Sequence, residues 1–413
     1  MTAALEALGE VTELRGAVRS GAALPLVAPR DEDALVELVR RARGDGKRVL
    51  PVGNGTSLSF TNLATDADLA VTTRAISGIV AHEPDDGTIT ALAGTPLREL
   101  RAKALAGGHH LSPELPASCD ATLGGAVAAG RSGVDRLRFG PMRNQLLGTR
   151  ALLADGTITK SGGRLVKNVT GFDLHRLYCG SHGSLCILLE ASLRLYPAPE
   201  AVRHLVLDAR DVREALRLAH EVRATQLAPW ILAIDADGPD RPAHLHLELA
   251  GREAVVEHEL STLPAAWRAA QIARDDAARE EHAHYADGEG DARRAAIVRV
   301  ASRPSRIDEV WARCAALLGA GSPLHFVRVQ PALAMLELRL DPNEPQRVAD
   351  LVRDLRSGLR DLGSRVAVGG DARLRRLTNC FDEVGPSLAW MRALRDRFDP
   401  HGLFASGRGA GGL

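Results

Sequence analysis

Apolar positions along the chain switch between two periods, and the switches mark out strands and helices. In DEDALVELVRRARGDG, Leu35, Leu38, Val39 and Ala42 fall on one helical face. Asp31 is placed to cap that helix and Gly44 to stop it. KRVLPV and DLAVTT read as strands. ISGIVAHEPDDGTITALAG predicts a hairpin about Asp86-Gly87, and NQLLGTRALLADGTITK another that turns at Asp155-Gly156. TPLRELRAKALAGG predicts a helix with Pro96 near its start, and LCILLEASLRLYP a long strand that ends at proline.

The tetrapeptide PAPE, residues 197–200, marks a boundary. Beyond it the strands HLVLDA, WILAID, HLHLELA, AIVRVAS, LHFVRV and AMLELRL alternate loosely with helices. The predicted helices are DVREALRLAHEVRA, AVVEHELSTL, AAWRAAQIARDDAAREEHAHY, IDEVWARCAALL and PQRVADLVRDLRSGL. This predicts an α+β unit whose antiparallel sheet carries helices on one face. The expected division is residues 1–198, 199–370 and a closing segment 371–413.

Composition narrows the classes. The chain has 413 residues, more than one core organises, with 45% apolar and 25% charged residues. Lys plus Arg and Asp plus Glu are each 52, so the net charge is zero, which argues against a nucleic-acid or polybasic membrane footprint. No apolar run approaches the ~18 residues of a spanning helix. MTAALEALGEVTELRG lacks the basic start of a leader. The expectation is a cytoplasmic protein, peripheral to a membrane only through a partner. Cys119, Cys179, Cys186, Cys314 and Cys380 are scattered with no C-x-x-C pair, so idle or buried thiols are expected rather than disulfides, zinc or an iron–sulfur cluster.

Three glycine-rich stretches carry candidate chemistry. In the first, Pro51-Val52-Gly53-Asn54-Gly55-Thr56-Ser57-Leu58, glycines let N–H groups turn inward while Thr56 and Ser57 add donors, which makes an anion nest or a plain surface turn. The polar, irregular SLSFTNLATDADLAV that follows is unlike the helix a Rossmann loop opens. There is no G-x-x-x-x-G-K-S/T loop. In the second, PASCDATLGGAVAAGRSG, Thr122 can cap a helix beginning at Leu123, whose first turns are kept bare by Gly124, Gly125 and alanines. A diphosphate could approach there, or the helix could simply pack tightly on a sheet. In the third, KNVTGFDLHRLYCGSHGSLCIL, a short helix is expected between Gly171 and Gly180, and Gly183 lets the chain turn into the long strand.

Together P-x-G-x-G-T-S, T-L-G-G-x-x-A-x-G-x-S-G and K-N-V-x-G-F/Y-D-L-x-x-L-x-x-G-S-x-G-S-L resemble the FAD-binding domain of the vanillyl-alcohol-oxidase (PCMH) type. Within it the sequence is most similar to the FAD-binding subunit of glycolate oxidase, and more distantly to D-lactate and D-2-hydroxyacid dehydrogenases. The likeness is dense over residues 50–197 and returns at FDPHGLFASGRG. It implies an α+β fold: two subdomains gripping FAD, plus a ferredoxin-like α+β cap. It implies that Pro51, Val52, Gly53, Asn54, Gly55, Thr56, Ser57 and Leu58 wrap the pyrophosphate and ribose. By the same resemblance Pro116, Thr122, Leu123, Gly124 and Gly125 meet the pyrophosphate and ring, and Ala129, Ser132 and Gly133 continue that wall. His182, Gly183 and Ile187 fall at the adenine side and ring edge, and Asp173, Lys167 and Asn168 lie nearer the flavin. Some members attach FAD through a histidine in the first loop; residues 50–60 contain none, so non-covalent FAD is expected.

Oxidising a 2-hydroxyacid also requires a base and a cation for the carboxylate. Catalytic relatives have segments like G-D-G-N-x-H and G-E-H-G. This sequence has neither, and reads Gly369-Gly370-Asp371 and Ala405-Ser406 at the later motifs. Catalytic candidates are therefore only Arg143, Lys167 and Asn168. HLHLE places His244, His246 and Glu248 on one strand face, expected to be the solvent face with Leu245, Leu247 and Leu249 inward. His282 and His284 are expected on a polar helix end, and no metal is assigned. The leading expectation is an FAD-binding subunit of a glycolate-oxidase-like complex, acting on a small 2-hydroxyacid or on its oxidising partner, with any iron–sulfur carrier on a separate chain. A self-sufficient 2-hydroxyacid dehydrogenase and a structural subunit with a vestigial flavin site are the alternatives.

Overall fold

The computed structural model describes residues 5–116, 119–164, 171–278, 280, 282, 295–319 and 321–413. The fold is α+β and contains three principal sheets. The first comprises β1 (Gly9–Leu14), β2 (Leu24–Pro29), β3 (Val49–Val52) and β4 (Leu69–Thr72). β4 lies between β2 and β3, parallel to both, and β1 pairs antiparallel with β2. The helix Glu32–Gly44 buries Ala34, Leu35, Leu38, Val39 and Ala42 in one core with Val27, Val49 and Val71 of this sheet. Asp31 caps it, accepting from Ala34 N–H at 2.8 Å.

Next come β5 (Ile79–Glu83), β6 (Thr88–Leu92), β7 (His109–His110), β8 (Leu146–Leu152), β9 (Ile158–Gly162), β10 (Ile187–Arg194) and β11 (Tyr196–Pro197). Five of them form an antiparallel sheet in the order β5-β6-β10-β8-β9, and β7 pairs with β11. Both expected hairpins are present, as β5–β6 and β8–β9. The chain's end returns to β3 of the first sheet: Val49 N–H donates to Leu403 O, and Ala405 N–H to Val49 O, both at 2.8 Å. Phe404 is thereby fully buried.

The third sheet has eight antiparallel strands. They are β12 (Ala201–Ala209), β13 (Ile231–Ala236), β14 (Ala243–Gly251), β15 (Gln271–Arg274), β16 (Ala296–Ala301), β17 (Leu324–Gln330), β18 (Met335–Leu340) and β19 (Arg365–Gly369), in the order β15-β12-β14-β13-β17-β18-β16-β19. Helices Val212–Arg223, Glu253–Ser261, Ile307–Leu317 and Pro345–Gly358 share one large core with it. Leu245, Leu247 and Leu249 point into that core, as the alternation predicts.

Two expectations fail in this unit. The long helix from Ala265 is instead a short turn, Ala265–Ala269, followed by the edge strand β15; beyond it residues 276–278, 280 and 282 are helical, and His284 lies outside the described residues. Arg203 and Val206 on β12 offer β15 an open edge, and strand pairing there overrides local helix propensity. The opposite sheet face is solvent-facing only at its end, where His244 is exposed; further along the strand it is covered. His204 and Glu248 are each 1% exposed, and Val134 from the chain's first half packs against Ile231 and Ala233 there. Alternation tells which residues share a face; here a second layer of the same chain covers it.

Candidate cofactor cleft and the cavity beside it

Backbone proximity builds the cleft. A Cβ at Gly53 would lie 2.4 Å from Thr122 Oγ1 and 3.0 Å from Gly125 Cα, so the first loop and the helix Leu123–Ala129 touch main chain to main chain. Gly55 has φ +74°, which favours glycine. Thr72 Oγ1 donates to Gly53 O at 2.8 Å, and Asn54 Nδ2 donates to Asp120 Oδ2 at 2.7 Å, which fixes the loop from both sides. Thr122 Oγ1 accepts from Gly125 N–H at 3.2 Å, the expected cap.

The third motif closes the cleft. His182 N–H donates to Ala128 O at 2.8 Å, and a Cβ at Gly183 would stand 3.1 Å from Pro51 Cβ. Arg408, from the closing GRG, donates from Nη1 to Pro51 O at 3.0 Å and to His182 O at 3.2 Å. One buried guanidinium thus ties the first motif to the third. Burial, then repulsion from Arg375, lowers it to about 10, so it stays charged at neutral pH. Burial, and next the Arg408 charge, pushes His182 down to about 4, so its imidazole stays neutral. The cleft is open to solvent, and the space between its walls out to the mouth is about 620 Å³. Its walls are residues 51–58, Thr73, Gly124, Gly125, Ala128, Ala129, His182, Gly183, Cys186, Ile187, Leu188 and Arg408.

A second cavity of about 780 Å³, counted the same way, adjoins it and shares Ser57, Ala129 and His182. Its remaining walls include Phe60, Arg131, Ser132, Gly133 and Arg136 from the first half, and Arg299, Arg328 and Glu337 from the eight-stranded sheet. Glu337 Oε2 accepts from Arg299 Nε at 3.0 Å and its Oε1 from Arg339 Nε at 3.1 Å. Burial opposes the charge of Glu337, but these guanidinium groups and Arg328 hold it at about 2. Asp235 accepts from Arg328 Nε and Nη2 at 2.8 and 2.6 Å. The Phe60 ring lies under both Arg131, at 5.3 Å, and Arg299, at 4.8 Å, so one ring joins the two halves.

Beside this cavity runs an ionic seam. His282 reaches Glu248 from Nδ1 at 2.9 Å and Glu114 from Nε2 at 3.0 Å. His204 Nδ1 lies 3.1 Å from Glu248 Oε2, and its Nε2 lies 3.3 Å from His246 Nδ1. Burial works against the His282 charge, but its hydrogen bonds to the two carboxylates, and their charges, raise it to about 11. Burial likewise opposes the Glu114 charge, and His282 holds that carboxyl at about 2. Among the described residues, His110, Glu114 and Asp135 bring possible ligand atoms within 4.8 Å of one another. They are held by their own bonds: His110 Nε2 lies 3.0 Å from Asp135 Oδ2, and Asp135 Oδ1 accepts from Glu114 N–H at 2.9 Å.

Residues 23–162 match the model of the FAD binding domain, and this segment of the chain is an FAD binding domain. The chain is 37% identical over 169 residues to glycolate oxidase subunit GlcE of Escherichia coli (strain K12), an alignment covering 41% of this chain and 48% of that protein. It is 31% identical over 219 residues to D-lactate dehydrogenase of Archaeoglobus fulgidus, covering 50% and 49%. It is 27% identical over 207 residues to glycolate oxidase subunit GlcD of Bacillus subtilis (strain 168), covering 50% and 44%. The chain thus spans about half the length of the curated relatives it matches. An alkyldihydroxyacetonephosphate synthase structure shares the fold, with TM-score 0.69 at 13% identity over 93% of this chain and 77% of the other. The resemblance drawn from the three glycine motifs holds, and FAD is the cofactor it names.

The residues fit that cofactor: two main-chain segments meet where only glycine leaves room, and the cleft between them runs along all three motifs. Pro51 to Leu58, Gly124, Gly125, Ala129, His182, Gly183 and Ile187 line it. Ser132 and Gly133 line the adjoining cavity. Pro116, Thr122 and Leu123 are buried behind the wall. Two candidates stand elsewhere. Arg143 is exposed on the one-turn helix Met142–Gln145. Asp173 is exposed 3.5 Å from Arg176. Lys167 and Asn168 lie outside the described residues. Sequence reasoning missed Thr73, Ala128, Cys186, Leu188 and Arg408 in the cleft, and the whole arginine cluster. Arg408 carried a signal, since it sits in the closing motif. The cluster carried none, because its arginines come from distant stretches.

Proposed function

We propose that this chain is an FAD-dependent oxidoreductase subunit that accepts electrons from a 2-hydroxyacid and passes them on within a glycolate-oxidase-like assembly. One observation carries this reading: the FAD cleft adjoins a cavity walled by arginines, the two sharing Ser57, Ala129 and His182 as lining. FAD, when bound, supplies the two-electron acceptor that such an oxidation needs. The arginines suit the carboxylate, since guanidinium groups pair carboxylates in a fixed, two-pronged geometry. Among the described lining residues the proton acceptors are His182 and Glu337, held at about 4 and about 2. A base works best near the operating pH. Neither group is tuned so, which favours shared turnover with a partner chain over self-sufficiency. The 37% identity to a protein named as a glycolate oxidase subunit supports the same reading. We place any iron–sulfur carrier on a separate polypeptide. No helix among the described residues is long and apolar enough to cross a membrane.

The deciding experiment is anaerobic flavin reduction by a panel of 2-hydroxyacids, with and without co-purifying proteins. Bleaching near 450 nm that needs the co-purifying fraction is the expected result. Bleaching by the isolated chain would establish the self-sufficient dehydrogenase instead, and a protein that takes up no flavin would establish a structural subunit. Acid precipitation of the holoprotein is expected to leave a white pellet and a yellow supernatant, because residues 50–60 offer no histidine for attachment. A yellow pellet would refute non-covalent binding.

A further inference from the structure

The last residues of the chain bring a charge to the FAD cleft. Past Val49, the closing segment stays paired to the chain that follows β3. Thr65 N–H donates to Ser406 O at 2.8 Å, and Asn62 N–H to Arg408 O at 3.0 Å. Asn62 Nδ2 then donates to Gly409 O at 3.3 Å. Gly407 has φ +91°, and a Cβ there would stand 2.9 Å from Thr65 N, so the approach needs glycine. Main-chain pairing on both sides thus delivers Arg408 to the cleft wall.

The Arg408 charge has no counter-ion among the described residues. Both of its hydrogen bonds leave from Nη1 and end on carbonyls, those of Pro51 and His182. Nη2 and Nε have no described partner, and no described acid stabilises the guanidinium. Burial and the charge of Arg375 both work against it. Arg375, from the same closing segment, donates to the carbonyls of Leu58, Thr61 and Gly16. The other described walls of the cleft are neutral. His182 is uncharged, burial keeps Cys186 a thiol, and the rest are apolar, hydroxyl or amide residues. A buried cation with no acid beside it is costly unless an anion is bound there.

We propose that Arg408 is the counter-ion of the FAD diphosphate, so that the chain's end completes the charge of a site built by the FAD binding domain. The ring of oxidised FAD is uncharged, whereas the diphosphate is a dianion. A guanidinium pairs phosphate oxygens through two donors at once, and Nη2 and Nε are left for that role. The N–H groups of the first loop turn towards the same cleft, and a fixed cation adds to such a nest. This inference concerns cofactor binding and is independent of what the chain oxidises.

The test divides the cofactor into its parts. The full chain, stripped of flavin, is titrated calorimetrically with ADP, which has the diphosphate and no ring, and with riboflavin, which has the ring and no phosphate. Arg408→Gln is expected to weaken ADP and FAD alike, by about ten- to a hundredfold, and riboflavin by less than about twofold. Arg408→Lys keeps the charge and should recover most of the ADP affinity. The midpoint potential of the bound flavin should be unchanged in Arg408→Gln, because oxidised and reduced FAD carry the same diphosphate. Equal losses for ADP and riboflavin would make Arg408 a mere clasp between two motifs and overturn the proposal. Unchanged ADP affinity with a lowered midpoint potential would assign the charge to the reduced ring, and overturns it too. If Arg408→Gln does not fold, the native chain decides. It should bind ADP at least about tenfold more tightly than adenosine, with an ADP affinity that falls as KCl rises. Equal affinity for ADP and adenosine, or no dependence on KCl, would overturn the proposal.

Discussion

Gly53→Ala is expected to deprive the protein of its flavin. The added Cβ falls 2.4 Å from Thr122 Oγ1 and 3.0 Å from Gly125 Cα, and the second neighbour is backbone that cannot rotate away. Loop and helix must part, and both walls of the cleft move with them. A hundredfold loss of FAD affinity, about 2.8 kcal/mol, is the expected scale. Flavin absorbance per protein and quenching of free-FAD fluorescence on titration measure it. Thr122→Ala in the same chain should rescue only partly, because the Gly125 contact remains. Gly44→Ala is the control: nothing lies within 4 Å of its Cβ and it ends a helix, so FAD content should be unchanged. Stoichiometric FAD in Gly53→Ala would refute the backbone cradle.

The second large effect lies in the ionic seam between the two halves. Glu248 is 1% exposed and holds both His204 and His282. Glu248→Gln removes a buried negative charge and leaves the His282 cation with Glu114 alone. Breaking a buried pair on one side costs about 3–5 kcal/mol, so a clear fall in melting temperature is expected. The pH dependence has a definite sign. His282 is raised from 6.5 to about 11, so its contribution is complete below pH 6.5 and is lost as pH rises towards 11. Glu114 is lowered from 4.5 to about 2, so its contribution is complete above pH 4.5 and is lost as pH falls towards 2. The His282–Glu114 pair is therefore strongest between pH 4.5 and 6.5. Melting temperature should decline from pH 6.5 to 10 in the native chain, and less steeply in Glu248→Gln. A flat profile over that range in the native chain would show that His282 does not hold the two carboxylates together.

The seam also shows how far a sequence is legible. HLHLE declared by alternation that His244, His246 and Glu248 share a face opposite three leucines, and they do. Periodicity carries no label for what lies beyond that face, so a buried polar layer and a wet one read alike. His204 and Glu114, which complete the seam, lie 44 residues before Glu248 in one case and in the other half of the chain. The segment after Ala265 failed differently: its composition favours a helix, but the free edge of β12 takes four of its residues as β15.

Local chemistry in the sequence determined the FAD binding domain. Glycines at Gly53, Gly55, Gly124, Gly125 and Gly183, and a capping threonine at Thr122, are required by turns and close approaches within short segments, so their spacing could be read directly. The hairpins at Asp86-Gly87 and Asp155-Gly156, and the leucine stripe of the helix Glu32–Gly44, were legible for the same reason. Only the tertiary structure decided what the cleft adjoins. Arg131 sits within the second glycine motif and Arg136 just after it, while Arg299, Arg328 and Glu337 arrive from three strands of another sheet. Arg408 arrives from the last residues to clasp Pro51 and His182. Charges at a shared cavity interact through space at a few ångströms whatever their separation along the chain, and no local pattern records that they will meet.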